Sequence, residues 1–321
     1  MKRKLKENMK KAAIVVVGAA MVISIFILTS APVQSRFVGT ESGTTLVFID
    51  KYVPETLRDD FASGLESATS GFLLEADLLA EVPARGPVAY FAADRHYGVI
   101  SADDPLVRRK LRGRPSSDFV LFRSIGTNFY ANELVTRSVA SQDGSYVFVN
   151  IDEHWRASVL HAYVHAIAAA NAPAAIMDAF KPDAGYDPEL RFAFRFVDEV
   201  FALLASDLLE LSGEEAGLDG AWSTFEAGTK HRYTDLDSDV RERQAEIIMA
   251  TYDLPQKSAE FYAACNSFAA WIIQAYGKDA IGLAARTFLS GDYRSLDDPF
   301  RAMGGLGAAI AAWKGDDSVP R

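Results

Sequence analysis

Two histidines, His161 and His165, have the spacing of a metal-binding pair. They lie four residues apart in an Ala-rich segment that the apolar pattern predicts to be helical. At this spacing two side chains lie about 40° apart around the helix axis and roughly 6 Å apart along it, so they share one face. Two imidazoles placed in this way can bind one zinc ion. The spacing leaves one alternative open, in which the two histidines have a structural role with their hydrogen bonds satisfied and bind no metal.

A third ligand is available in the next long predicted helix, at 190–211. Glu199 lies there among apolar neighbours, where a charged side chain needs a partner. The chain has a single cysteine, Cys265, so a thiolate site is excluded and the ligands must be imidazole and carboxylate. The sequence therefore predicts one zinc ion bound by His161, His165 and Glu199.

Charge and composition restrict the class of protein. The formal net charge of −10 argues against a nucleic-acid partner, because phosphates require a basic surface. With 321 residues, 49% of them hydrophobic, the chain can bury the core of one or two domains.

The N-terminal segment has the pattern of a membrane anchor. Residues 1–11 are basic, and residues 12–31 carry no charge and are long enough to span a bilayer. The positive charge predicts a single-pass protein of the cell membrane, with a cytoplasmic N-terminus and an extracytoplasmic main domain. A cleaved signal peptide is the alternative. Residues 32–44 are predicted to be a linker, 45–315 the domain and 316–321 a tail.

The expected fold class is α+β, with a small mixed sheet and its helices followed by a mainly helical half. Apolar runs predict strands at 45–49, 87–92, 119–122, 134–139 and 146–150, with a helix at 54–79. Helical periodicity then predicts helices at 155–170, 190–211, 239–251, 258–276, 278–290 and 305–314.

The order of these pieces over about residues 45 to 314 resembles the gluzincin group of zinc metallopeptidases, in particular peptidase MA-like domains of membrane and envelope proteins. In that group a strand ending in Asn precedes an H-E-x-x-H helix, and a later helix contains E-G-x-A. The matching segments here are 147–150, 161–165 and 199–202, followed by Tyr276-Gly277 and a last helix with Trp313. The resemblance implies a zincin-like fold, zinc bound by His161, His165 and Glu199, and a cleft that holds peptide.

Three positions depart from the gluzincin pattern. Ala162 replaces the catalytic Glu, Val200 replaces the usual Gly, and the interval from His165 to Glu199 is long. Only the first removes chemistry, because a methyl group cannot accept the proton that general-base catalysis transfers. A Glu-to-Ala replacement in an active enzyme would give the same sequence.

The expected function is therefore that of a catalytically impaired peptidase-like module, which binds peptides or proteins in the envelope. An active zinc peptidase with another base and a metal-free structural protein are the alternatives. The resemblance also offers His231, Tyr233 and Tyr262 as transition-state donors. An exposed turn for the first two, and packing for Tyr262, are the competing interpretations.

Overall fold

The computed structural model describes residues 37–42, 45–50, 53–79, 88–93, 137–141, 144–151, 154–180, 187–213, 217–234 and 259–316. The predicted anchor at 12–31, the strand predicted at 119–122 and the helix predicted at 239–251 lie outside these residues. Among the residues that are described, no helix is both long enough and apolar enough to cross a membrane.

Five strands of the described chain form one mixed sheet in the spatial order β1-β2-β3-β5-β4. They are β1 (Phe37–Ser42), β2 (Thr45–Asp50), β3 (Val88–Ala93), β4 (Arg137–Ser141) and β5 (Gly144–Asn150). The inner pairs β2–β3 and β3–β5 are parallel, whereas the outer pairs β1–β2 and β4–β5 are antiparallel.

The inner strands β2 and β5 are buried on both faces. Residues 47–49 and residues 147–149 are all buried. Because successive side chains of a strand point to opposite faces, burial of every residue means that both faces of the sheet are covered. This explains why these strands have continuous apolar runs, which the sequence reveals.

The edge strands differ from the sequence prediction. Residues 32–44 were expected to be a linker, but β1 pairs with β2 from Phe37 opposite Asp50 to Ser42 opposite Thr45. The composition of β1, which includes a glycine and several polar residues, gives little strand signal. Pairing with β2 stabilises this strand instead. The strand predicted at 134–139 corresponds to β4, which begins three residues later than predicted.

Helices fill the crossover between β2 and β3 and most of the chain after β5. The crossover contains α1 (Glu55–Glu66), a π-helical turn (Ser67–Gly71) and α2 (Phe72–Glu75). After β5 come α3 (Trp155–Asn171), α4 (Ala174–Asp178), α5 (Pro188–Leu211), α6 (Gly217–Thr234), α7 (Ala259–Tyr276), α8 (Lys278–Ser290) and α9 (Leu306–Gly315).

Two helical segments correct the expectations from sequence. The helix predicted at 54–79 ends at Glu75, and Asp77 just after it has a φ of +55°. The helix α6 was not predicted, because its three glycines lower helix propensity. Its buried residues Trp222 and Phe225 show that tertiary packing stabilises this helix.

The helix α3, which contains the two histidines, is the central element. It packs against β4, β5, α5, α8 and the π-helical turn. Eleven of its residues are buried, and six of these are alanine or valine, whose small side chains allow close approach. A polar group on this helix therefore needs a partner inside the protein.

The helix α5 crosses α3 and has a well-defined start. Asp187 caps it, since its carboxylate accepts hydrogen bonds of 3.0 Å from the backbone N–H groups of Glu189 and Leu190. Pro188 occupies the first helical position, where no N–H group is needed. The helix then buries aromatic residues against α7 and α8, as in the pair Phe196–Phe268 with ring centroids 5.3 Å apart.

Replacing Asn171 with Ala should destabilise the protein by about 1–3 kcal/mol. The Asn171 amide, at the end of α3, is buried and donates a hydrogen bond of 2.8 Å to the carbonyl of Leu289 at the end of α8. Urea denaturation would measure the loss. The control is Thr287→Ala, because that hydroxyl makes an exposed hydrogen bond to Leu283 of its own helix, and we expect a change within about 0.5 kcal/mol. Equal effects of the two substitutions would contradict the role of Asn171.

Candidate metal site

His161, His165 and Glu199 come together where α3 faces α5. The two Nε2 atoms of the histidines are 3.1 Å apart. Glu199 Oε1 lies 3.2 Å from His161 Nε2, and Glu199 Oε2 lies 3.4 Å from His165 Nε2. These side chains form a group that could hold a metal ion, as the helical spacing and the flanking apolar residues predict.

The nearest ligand atoms of His161, His165 and Glu199 lie at separations that would fit around one small cation. In a tetrahedral site with bonds of about 2.0–2.1 Å, ligand atoms lie about 3.3–3.4 Å from one another. The two Nε2 atoms are 3.1 Å apart, and His161 and His165 lie 3.2 and 3.4 Å from different oxygens of Glu199, so each pair of nearest atoms is close to this value. In addition, Glu199 Oε1 is buried and makes no hydrogen bond within the described part of the chain. A cation between the three side chains would supply the missing interaction.

Solvent can reach the group. The side chains of His161, His165 and Glu199 are 27%, 21% and 12% exposed. Structural zinc sites usually surround the ion with four protein ligands, whereas catalytic sites have three protein ligands and an open position. Three ligands and partial exposure therefore match a site that could accept water or another oxygen ligand.

Asp198 orients one of the two histidines. Its Oδ2 atom lies 2.7 Å from Nδ1 of His165. When Nδ1–H donates to this carboxylate, the lone pair on Nε2 is free to bind a metal, which is the usual arrangement of a metal-binding histidine. No role for Asp198 was predicted from the sequence. The signal in the sequence that could have identified Asp198 is that it is a second carboxylate beside Glu199, also among apolar residues.

The charges at the site shift the pKa values of two of its members. Burial lowers the pKa of His165, but the charge and hydrogen bond of Asp198, and then Glu199, outweigh it and raise the pKa to about 10. Burial would raise the pKa of Glu199, but the adjacent His161 and His165 hold it well below its usual range. Without a metal, His165 is therefore protonated and Glu199 ionised at neutral pH.

The residue after His161 cannot act as a base. Ala162 is 2% exposed and belongs to the apolar core. The next residue, Tyr163, is turned away from the cluster, and its hydroxyl forms a hydrogen bond of 2.9 Å with Ser70 in the π-helical turn. The carboxylate of Asp198 is already bonded to His165.

The other three candidates lie on α6 and α7. Tyr262 on α7 is half-buried, contacts Phe261 with ring centroids 5.9 Å apart and packs against the core, as its packing interpretation predicts. His231 and Tyr233 lie in the last turns of α6, so the interpretation of this segment as a turn is wrong.

Asp198→Asn should weaken metal binding about 10–100-fold, the usual effect of losing a carboxylate that orients a metal-binding histidine. Competition with a chelator of known affinity would measure the change. Asp279→Asn is a matched control, because it removes the same charge from an exposed position at the start of α8. Equal affinities for the Asp198 variant and the unmodified protein would show that this carboxylate does not orient the site.

Metal binding should release one proton from His165. Because the pKa of this histidine is raised to about 10, the ring is protonated at neutral pH and must lose the proton to bind a metal through Nε2. The proton on His165 should therefore make the apparent affinity rise about tenfold per pH unit between about pH 7 and 9. Calorimetry in buffers with different ionisation enthalpies would count the proton. A heat of binding that is the same in all buffers would contradict the protonated state.

Comparison of the chain with models of protein families, with curated proteins and with solved structures gives no match. The resemblance to gluzincins therefore stays a prediction from the sequence.

Proposed function

We propose that this chain is a zinc-binding, peptidase-like module with a gluzincin-type arrangement, which binds peptide or protein segments and has lost efficient hydrolysis. The observation that supports this proposal best is the convergence of His161 Nε2, His165 Nε2 and the Glu199 carboxylate, in which the nearest atoms of each pair are 3.1–3.4 Å apart. The open side of the group leaves a position for an oxygen ligand from a bound segment.

Zinc is the metal that fits this donor set best. Imidazole nitrogens with one carboxylate are a common zinc ligand set, and zinc favours the tetrahedral spacing that these atoms approach. The only cysteine, Cys265, is buried in the core, which leaves the site without a thiolate. Calcium and magnesium prefer oxygen ligands and are poor matches to two imidazoles.

The residues present favour binding over cleavage. Bound zinc would polarise a carbonyl group and acidify a water molecule. His161, His165 and Glu199 would hold the ion, and Asp198 would fix the orientation of His165. General-base catalysis typically contributes 10²–10⁴-fold to the rate, and Ala162 offers no group that accepts a proton. A peptide could therefore occupy the cleft without being hydrolysed at a useful rate.

The proposed location is the outer side of a membrane. The uncharged segment 12–31 follows the basic residues 1–11, which supports a single membrane anchor with a cytoplasmic N-terminus. The domain would then meet peptides and protein tails of the cell envelope.

The metal content of the full chain, purified in detergent, tests the first part of the proposal. Mass spectrometry should find about one zinc ion per chain, and His161→Ala should lose it. His154→Ala is a matched control, because this exposed histidine precedes the same helix and should leave the zinc content unchanged. If the unmodified protein contains no metal and does not bind added zinc, the chain is a metal-free structural protein.

Ala162→Glu tests the second part. We expect this variant to hydrolyse a fluorogenic peptide library at least about 10²-fold faster than the unmodified chain, because it regains a general base. A further Glu199→Gln change should abolish the gain. Thermal denaturation must accompany the assay, since Ala162 is buried and a larger side chain has to fit there. Equal and substantial hydrolysis by both proteins would instead identify an active peptidase that uses another base.

A further inference from the structure

Tyr293 has a buried hydroxyl group without a partner among the described residues. The residue is 5% exposed, and its Oη atom makes no hydrogen bond to any of them. A buried hydroxyl that has lost its water and gained no partner is costly, so such groups usually have a role or an ordered water molecule. Tyr293 lies after α8 and is outside the group of proposed metal ligands.

The Tyr293 ring is connected through Phe288 to the face of α5 that carries Asp198. It stacks on Phe288 with ring centroids 5.6 Å apart and an angle of 17° between the planes. Phe288 in turn contacts Phe194 and Phe201, with centroids 5.3 and 5.5 Å away. These two residues lie four positions before and three positions after Asp198. Residues at such intervals share one face of a helix, so all three side chains point toward the same neighbours.

One of the two carboxylate oxygens of Asp198 is an unused hydrogen-bond acceptor among the described residues. Its Oδ2 atom is bonded to His165, but its Oδ1 atom is buried and has no hydrogen bond within the described residues. Tyr293 thus offers an unused donor on the side of α5 where Asp198 offers an unused acceptor. Burial raises the pKa of Tyr293, and the negative charge of Asp198 raises it further.

We propose that the Tyr293 hydroxyl supplies the outer hydrogen bond of Asp198 Oδ1 through one bridging water molecule. Tyr293, Asp198 and His165 then form a buried chain that fixes the imidazole for the metal. This inference depends on the proposed metal binding for its consequence, and it makes Tyr293 a positioning residue. Neutral phenol is a suitable partner here, because it satisfies the oxygen without removing the negative charge that His165 requires.

Tyr293→Phe in the full chain removes the hydroxyl and keeps the ring. The affinity for zinc alone, measured by chelator competition, should fall about threefold to tenfold, which is less than the effect of losing the direct partner of a histidine. Tyr163→Phe is the matched control: it also removes a buried hydroxyl, but one bonded to Ser70, and should change the affinity less than about twofold. In the Asp198→Asn background, Tyr293→Phe should have no further effect on affinity.

Measurements without metal separate this inference from the proposed function. They use the unmodified chain, the Tyr293→Phe and Asp198→Asn variants and the double variant, each treated with a chelator. Tyr293→Phe should lower the thermal midpoint when Asp198 is present and leave it unchanged in the Asp198→Asn background. If the unmodified chain binds no zinc, the proposed function fails, and this comparison alone decides whether Tyr293 bonds to Asp198. Equal midpoint losses in both backgrounds, or an unchanged zinc affinity in a chain that binds zinc, overturn the positioning role.

Discussion

The contact between α3 and α5 is the interaction on which the candidate site depends. Each helix buries apolar residues against the other and against the rest of the core, and each also brings polar groups into the contact. His161 and His165 come from one helix, and Asp198 and Glu199 from the other. Four ionisable groups among apolar residues are costly unless they satisfy one another or bind an ion. The packing of apolar side chains therefore determines where these four groups lie. Their burial means that they must pair with one another or bind an ion.

The two carboxylates have different tasks although they are neighbours in sequence. Glu199 faces the Nε2 atoms of both histidines, whereas Asp198 faces Nδ1 of His165. Successive helix residues differ by about 100° around the axis, so the pair can contact one imidazole from two sides. One carboxylate is then available as a ligand and the other as a support for a ligand. Asp198 contacts His165 at Nδ1, whereas Glu199 faces Nε2, so the two carboxylates lie on different sides of the ring.

Features that depend on residues close together in sequence could be predicted, whereas features that depend on contacts between residues far apart in sequence could not. The inner strands and the helices around 155–171 and 188–211 are recognisable because burial produces continuous or periodic apolar patterns, and the His161–His165 pair because helix geometry is regular. β1 and α6 were missed since pairing and tertiary packing stabilise them. The bond from Asp198 to His165 joins residues 33 positions apart, so only the folded chain reveals it.

The π-helical turn after α1 determines which residue of the crossover faces α3. Its neighbouring residues Thr69 and Ser70 are hydrogen-bonded to two tyrosines, Tyr90 in β3 and Tyr163 in α3. A π-helical turn contains one more residue than the α-helical turn it replaces. Deleting one residue there would rotate everything that follows by about 100° and separate Ser70 from Tyr163. The extra residue thus keeps Ser70 opposite Tyr163 and joins the crossover between β2 and β3 to α3.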